Sequence, residues 1–136
     1  MNYFLGKKQD FFYLSRTLRV AAQAYMRLGN MDKALNSLNE VLEICRNTLK
    51  DSVCEANTLN SIGFLYSQKL DSKAAFENYN QALEIHRKNG DLSGQSQTLR
   101  GIADLMSKLG KHKEALQHLE ESRKLLRVKI LLLNKD

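Results

Sequence analysis

One passage of the chain is written three times. Residues 18–38 read LRVAAQAYMRLGNMDKALNSL, residues 59–79 read LNSIGFLYSQKLDSKAAFENY, and residues 99–119 read LRGIADLMSKLGKHKEALQHL. Two sets of landmarks give the same period. Asp10, Asp51 and Asp91 stand 41 and then 40 residues apart, as do Ala34, Ala75 and Ala115. A unit of this length cannot bury its apolar face alone, so copies must stack to share a core. The repeats fall at 10–50, 51–90 and 91–130, inside one domain spanning 1–136. An N-terminal arm, 1–9, precedes them, and an apolar tail, 128–136, closes the chain.

Each unit divides into two amphipathic helices. In the first unit Phe11, Leu14, Leu18, Ala21, Ala22, Tyr25 and Leu28 recur at helical spacing and make one apolar stripe. Asp10 is expected to cap this helix, with Gly6 and Lys7-Lys8 as a helix end or short arm before it. Tyr3 and Phe4 are candidates to pack on the helix. Gly29-Asn30 supplies the turn, and the second helix runs to about residue 49. In the second unit helices are expected over 52–69 and 72–89, with Asp71 capping the latter. In the third they are expected over 92–109 and 111–128. Gly90-Asp91 is the clearest boundary, a glycine stop followed by an aspartate start. The small Ala34, Ala75 and Ala115 let paired helices approach closely.

The ordered set resembles the tetratricopeptide repeat family. The family signature runs W-x2-L-G-x2-Y, then A-x3-F, then P. The first helices here carry Leu18-Ala21-Ala22-Tyr25, Leu59-Ile62-Gly63-Tyr66 and Leu99-Ile102-Ala103-Met106. The second helices carry Ala34-Leu38, Ala75-Tyr79 and Ala115-Leu119. The tryptophan is replaced by leucine, the closing proline is absent, and the period exceeds the usual 34 or so residues. The longer unit is similar to that of kinesin light chains, Partner-of-Inscuteable-type polarity adaptors and Rap-type bacterial regulators.

The resemblance implies an all-α, right-handed solenoid of three helical hairpins, with the first helices lining its concave side. First-helix residues outside the apolar stripe would then face a groove. They are Arg16, Arg19, Gln23 and Arg27 from the first repeat, and Asn57, Asn60, Phe64 and Gln68 from the second. The third contributes Gln97, Arg100, Asp104 and Lys108. This basic, amide-rich set suits a partner protein or peptide of acidic character, because arginine forks bind carboxylates and amides pair with peptide backbone. The dicarboxylate clamp of tetratricopeptide co-chaperones is not spelled out, since its positions hold Arg19, Gln23, Ser61, Gln97 and Gly101. The longer-period adaptors place an asparagine just before the Leu-Gly pair, where Val20, Ser61 and Gly101 stand here.

Enzymatic chemistry has little to stand on. The chain lacks a glycine-rich phosphate loop, a nucleophile elbow and a metal-ligand motif, so no catalytic residue, metal or cofactor is assigned. His86, His112 and His118 are expected as surface or turn histidines. Cys45 and Cys54 are expected as small core residues rather than a disulfide scaffold, which makes a reducing, cytoplasmic setting the default. No run reaches the ~18 apolar residues of a membrane span. The net charge of +6 allows a runner-up reading, with Arg16, Arg19, Arg27, Arg100 and Lys108 following a nucleic-acid backbone. Basic and acidic residues are interleaved, however, without a continuous basic stripe. The apolar tail admits three readings, one of which is that the chain is a truncated segment of a longer repeat array; the other two keep the tail as an end. The last helix continues and folds its leucines onto the third repeat, or Ile130, Leu131, Leu132 and Leu133 form a second interface, including a homo-oligomeric one.

Overall fold

The structure, a computed structural model, describes the backbone of residues 3–135 and the side chains of 6–135. Helices run in sequence: α1 Tyr3–Arg27, α2 Met31–Glu43, α3 Ser52–Gln68, α4 Ser72–Lys88, α5 Leu92–Lys108 and α6 His112–Leu133. Helix α2 continues directly into a π-helical turn, Ile44–Thr48. Consecutive helices pack as antiparallel neighbours, and α2 also meets α3 as α4 meets α5. This all-α solenoid of stacked hairpins follows from the 40-residue period.

Turn chemistry explains where each helix stops. At the ends of α1, α3, α4 and α5 the amide of the second residue past the helix cap bonds five residues back, as in Asn30 to Tyr25 and Lys111 to Met106. The residue before it sits in the left-handed region: Gly29, Leu70, Gly90 and Gly110. The next helix then begins on a short polar cap. Asn30, Asp51, Asp71 and Asp91 each accept from the amide three residues on. Lys111 stands at the corresponding place before α6 and supplies no side-chain cap.

The repeat lengths differ by one, and the structure shows where. Cys45 and His86 are equivalent, yet six residues separate Cys45 from Asp51 and five separate His86 from Asp91. The Asp51 amide bonds Cys45 O, while the Asp91 amide bonds His86 O. The extra residue of the first repeat is absorbed by the π turn, in which Leu49 N bonds Ile44 O. A one-residue insertion in a helix is accommodated in this way without breaking it.

The core is serial. One cluster joins α1, α2 and α3 through Ala22, Ala34, Leu38, Ile62 and Leu65. A second joins α4 and α5 through Ala75, Tyr79, Leu83, Leu99, Ile102 and Leu105. Tyr66 packs against both. Each of these clusters spans a joint, so neighbouring hairpins stabilise one another.

Several expectations are corrected. The first helix is already formed at Tyr3, so Gly6, Lys7 and Lys8 are helical and Asp10 lies inside the helix rather than capping it. One glycine costs a helix only about 1 kcal/mol, too little to stop a chain with no proline. The packing of Tyr3 and Phe4 lies outside the described side chains. Leu14 and Leu28 leave the apolar stripe and are exposed. The last helix does continue, but its leucines do not fold onto the third repeat. Leu131 and Leu133 are 70% and 71% exposed, and Ile130 and Leu132 are exposed as well. Antiparallel to α5, the end of α6 reaches the first residues of that helix at Lys129 and Ser93 and runs on beyond them, where no described residue covers it. His86 is buried, not a surface histidine, and its Nδ1 lies 3.4 Å from Asp91 Oδ2. Cys45 and Cys54 are joined by a disulfide, with Cα atoms 5.6 Å apart.

Candidate functional site

The twelve groove candidates form four rows of three equivalent positions, one from each first helix. The row Arg19, Asn60 and Arg100 lies along a single cavity of about 470 Å³ between α1, α3 and α5. Gln23 and Phe64, from the next row, line it too, as does Gln97. Its walls include Ala22, Met26, Ser61 and Gly101, and Leu38 and Tyr79 reach it from α2 and α4. Equivalent positions thus converge because stacking places the first helices side by side.

The remaining candidates scatter. Arg27 and Gln68 line a neighbouring cleft with Met31 and Phe64. Lys108 donates to Gln68 Oε1 at 3.2 Å and pairs with Asp104 at 3.2 Å, which compensates that carboxylate. Asp104 itself faces a separate cleft between α5 and α6. Arg16 does not reach the cavity; its guanidinium stacks over the Phe12 ring at 5.8 Å. Asn57 also lies off the cavity, half-buried on α3.

Within the cavity the two arginines differ. Arg19 is half-buried and turned toward α3, donating to Thr58 Oγ1 at 3.1 Å and to Cys54 Sγ at 3.2 Å. Burial pushes its guanidinium below the ordinary arginine value, and the charge of Asp51 acts in the opposite sense. An arginine remains charged under either influence. Arg100 is exposed and holds no salt bridge among the described residues. No carboxylate lines this cavity, so its electrostatic character is cationic. Asn60 contributes a buried side-chain oxygen with no hydrogen-bond partner among the described groups.

Tyr79 is the residue that sequence reasoning missed. It is 2% exposed, and its ring lies between two glycines. A Cβ on Gly63 would come within 2.8 Å of the ring, and one on Gly101 within 2.9 Å. The bulky ring therefore fits only because α3 and α5 each lack a side chain there. Burial pushes the phenol up to about 12, with the charge of Asp104 adding to the effect. The signal was present in the letters: Tyr79 replaces the Leu38 and Leu119 of the other repeats, and Gly63 replaces Ala22 and Ala103.

No described helix is long and apolar enough to cross a membrane. No curated protein matches the chain. The profile described as tetratricopeptide repeat matches residues 13–88 and again 73–127, which together span most of the sequence. With six α-helices among the described residues packed in successive hairpins at a 40-residue period, the chain belongs to the tetratricopeptide repeat family.

Proposed function

We propose that this chain, in keeping with the general role of tetratricopeptide repeats as modules of protein–protein interaction, is a non-catalytic adaptor that holds an extended acidic segment of a partner protein in the α1–α3–α5 cavity. The observation that carries this reading is the row of equivalent residues Arg19, Asn60 and Arg100 in one cationic cavity. Arg100 offers an unpaired fork for a carboxylate. Asn60 adds an amide side chain between the two arginines, and a rotation of that side chain would bring its unpartnered, buried oxygen to a peptide amide. Gln23 and Gln97 supply donors and acceptors on either side, and Phe64 gives an apolar surface for a side chain. The test is selection of binders from a random peptide display library, followed by titration calorimetry. Selected peptides are expected to be enriched in Asp and Glu and to lose at least tenfold in affinity with Arg100→Glu. Peptides without acidic enrichment that ignore this substitution would overturn the reading. Affinity for single-stranded nucleic acid that falls steeply with salt would replace it with the phosphate-backbone alternative.

A second reading concerns α6. Leu116, Leu119, Leu126, Val128 and Ile130 through Leu133 are all exposed on this helix. Helical spacing puts Leu116, Leu119, Leu126, Ile130 and Leu133 on one side of α6, and an exposed apolar patch of this kind marks an interaction surface. A second copy covering this surface gives a solution mass of two chains by light scattering. Leu131→Glu combined with Leu133→Glu then returns a folded monomer. A monomeric parent chain removes this reading.

A further inference from the structure

The two joints between repeats are built differently. At the second joint the buried His86 of α4 packs on Gly94 of α5, so closely that any Cβ at 94 would collide with the imidazole. The equivalent positions at the first joint are Cys45 and Cys54, which are bonded to each other. This is also the joint that carries the extra residue in its π turn. The covalent link ties the end of one repeat to the first turn of the next. Its two ends differ in access. Cys45 is fully buried, whereas Cys54 is partly exposed in the first turn of α3. Cys54 Sγ also accepts from Arg19, the arginine that lines the cavity.

The geometry points to Cys45 and Cys54 as a reversible thiol–disulfide site, operated by small thiol and disulfide compounds, that sets the first joint and the position of Arg19. Oxidation starts at Cys54. Its thiolate attacks one sulfur of a small disulfide and expels one small thiolate, leaving a mixed disulfide on Cys54. The Cys45 thiolate then attacks the Cys54 sulfur and expels the second small thiolate, forming the internal bond. Two protein thiols are oxidised, one small disulfide is reduced to two thiols, and no other reactant is required. Reduction is the same path reversed, with an external thiolate attacking the sulfur of Cys54, the less buried of the two residues. The Arg19 guanidinium stabilises negative charge on that sulfur, against the opposing carboxylate of Asp51, which already takes the Cys54 amide. In the reduced form Cys45 and Cys54 are separate side chains, and the joint keeps only non-covalent contacts, such as the Arg46–Glu55 ion pair, as the second joint does with Arg87–Glu121. This proposal does not depend on what the cavity binds.

The test equilibrates the full chain with mixtures of reduced and oxidised glutathione, traps free thiols with iodoacetamide, and reads the intact mass. The expected result is two species only, one doubly alkylated and one unmodified, exchanging in a single transition. Cys45→Ser, which removes the resolving thiol, is expected to accumulate one glutathione adduct at Cys54, whereas Cys54→Ser leaves Cys45 unadducted. In parallel, amide and arginine side-chain resonances of Arg19 and Thr58 are expected to move between the oxidised and reduced parent chain, while those of α6 stay in place. Two alkylatable thiols at every glutathione ratio, or adducts forming equally at both cysteines, would overturn the exchange site. Identical Arg19 resonances in the two forms would overturn its link to the cavity.

Discussion

At position 79 the second repeat places an aromatic ring where the first has Leu38 and the third has Leu119. The exchange is tolerated because Gly63 and Gly101 flank the ring. Gly63→Ala alone is expected to cost roughly 1–3 kcal/mol by overpacking. Made together with Tyr79→Leu, the same change should cost far less, because the clash is removed. A double-mutant cycle from denaturant unfolding reads the coupling, and simple additivity would contradict the packing described here. The same burial predicts a pH effect. The folded-state phenol titrates at about 12, above the ~10 of an unfolded tyrosine. Between these values the folded chain keeps a proton that the unfolded chain has lost. The contribution of Tyr79 to stability is therefore intact below pH ~10 and is lost as pH rises toward 12. Unfolding followed across this window should show that fall, and Tyr79→Phe should flatten it. A fall unchanged in Tyr79→Phe would place its origin elsewhere.

At the scale of helices and turns, two positions depart from the pattern of their own repeats. Leu70 occupies the left-handed place that Gly29 and Gly110 fill in the other hairpins, with φ 64° and its side chain 87% exposed. A branched residue there costs roughly 1–2 kcal/mol, and no packing repays it. Leu70→Gly is expected to raise stability by about 1 kcal/mol, read as a higher denaturation midpoint with unchanged slope. Lys111 opens α6 without a capping side chain, and its charge opposes the positive end of the helix dipole. Lys111→Asp is expected to add roughly 0.5–1 kcal/mol by supplying the cap present at Asp71. A loss of stability in either variant would contradict the repeat alignment. These turns were legible in the letters because Asp51, Asp71 and Asp91 announce helix starts. The π turn was not. The unequal spacings showed that one residue was extra, but only the hydrogen bonds of Leu49 and Asp51 locate it. The start of α1 was hidden for a related reason, since Asp10 matches the capping aspartates in register but not in conformation.

Across the whole molecule, the stacking order was written in the period, and the shared cavity is its consequence. The row Arg19, Asn60 and Arg100 could be named because equivalent positions on stacked helices become neighbours. Arg16 and Asn57 could not be excluded, because the reach of a side chain depends on local partners such as Phe12. The floor of the cavity went unseen for a different reason: Leu38 and Tyr79 belong to second helices, whose apolar residues read simply as core. Contacts across the joints were equally opaque. Cys45 with Cys54 and His86 with Gly94 are pairs defined by how one repeat meets the next, not by any spacing with a familiar meaning. The bare face of α6 belongs to this scale as well, since helical periodicity fixes which residues align but not whether anything lies opposite them.

The most direct measurement is amide chemical-shift mapping of the full chain during titration with a selected acidic peptide. The account predicts that the largest shifts fall on Gln23, Asn60, Ser61, Phe64, Gln97 and Arg100, the lining of one cavity. Shifts confined to the exposed residues of α6, with the cavity unmoved, would contradict it and assign recognition to the other face.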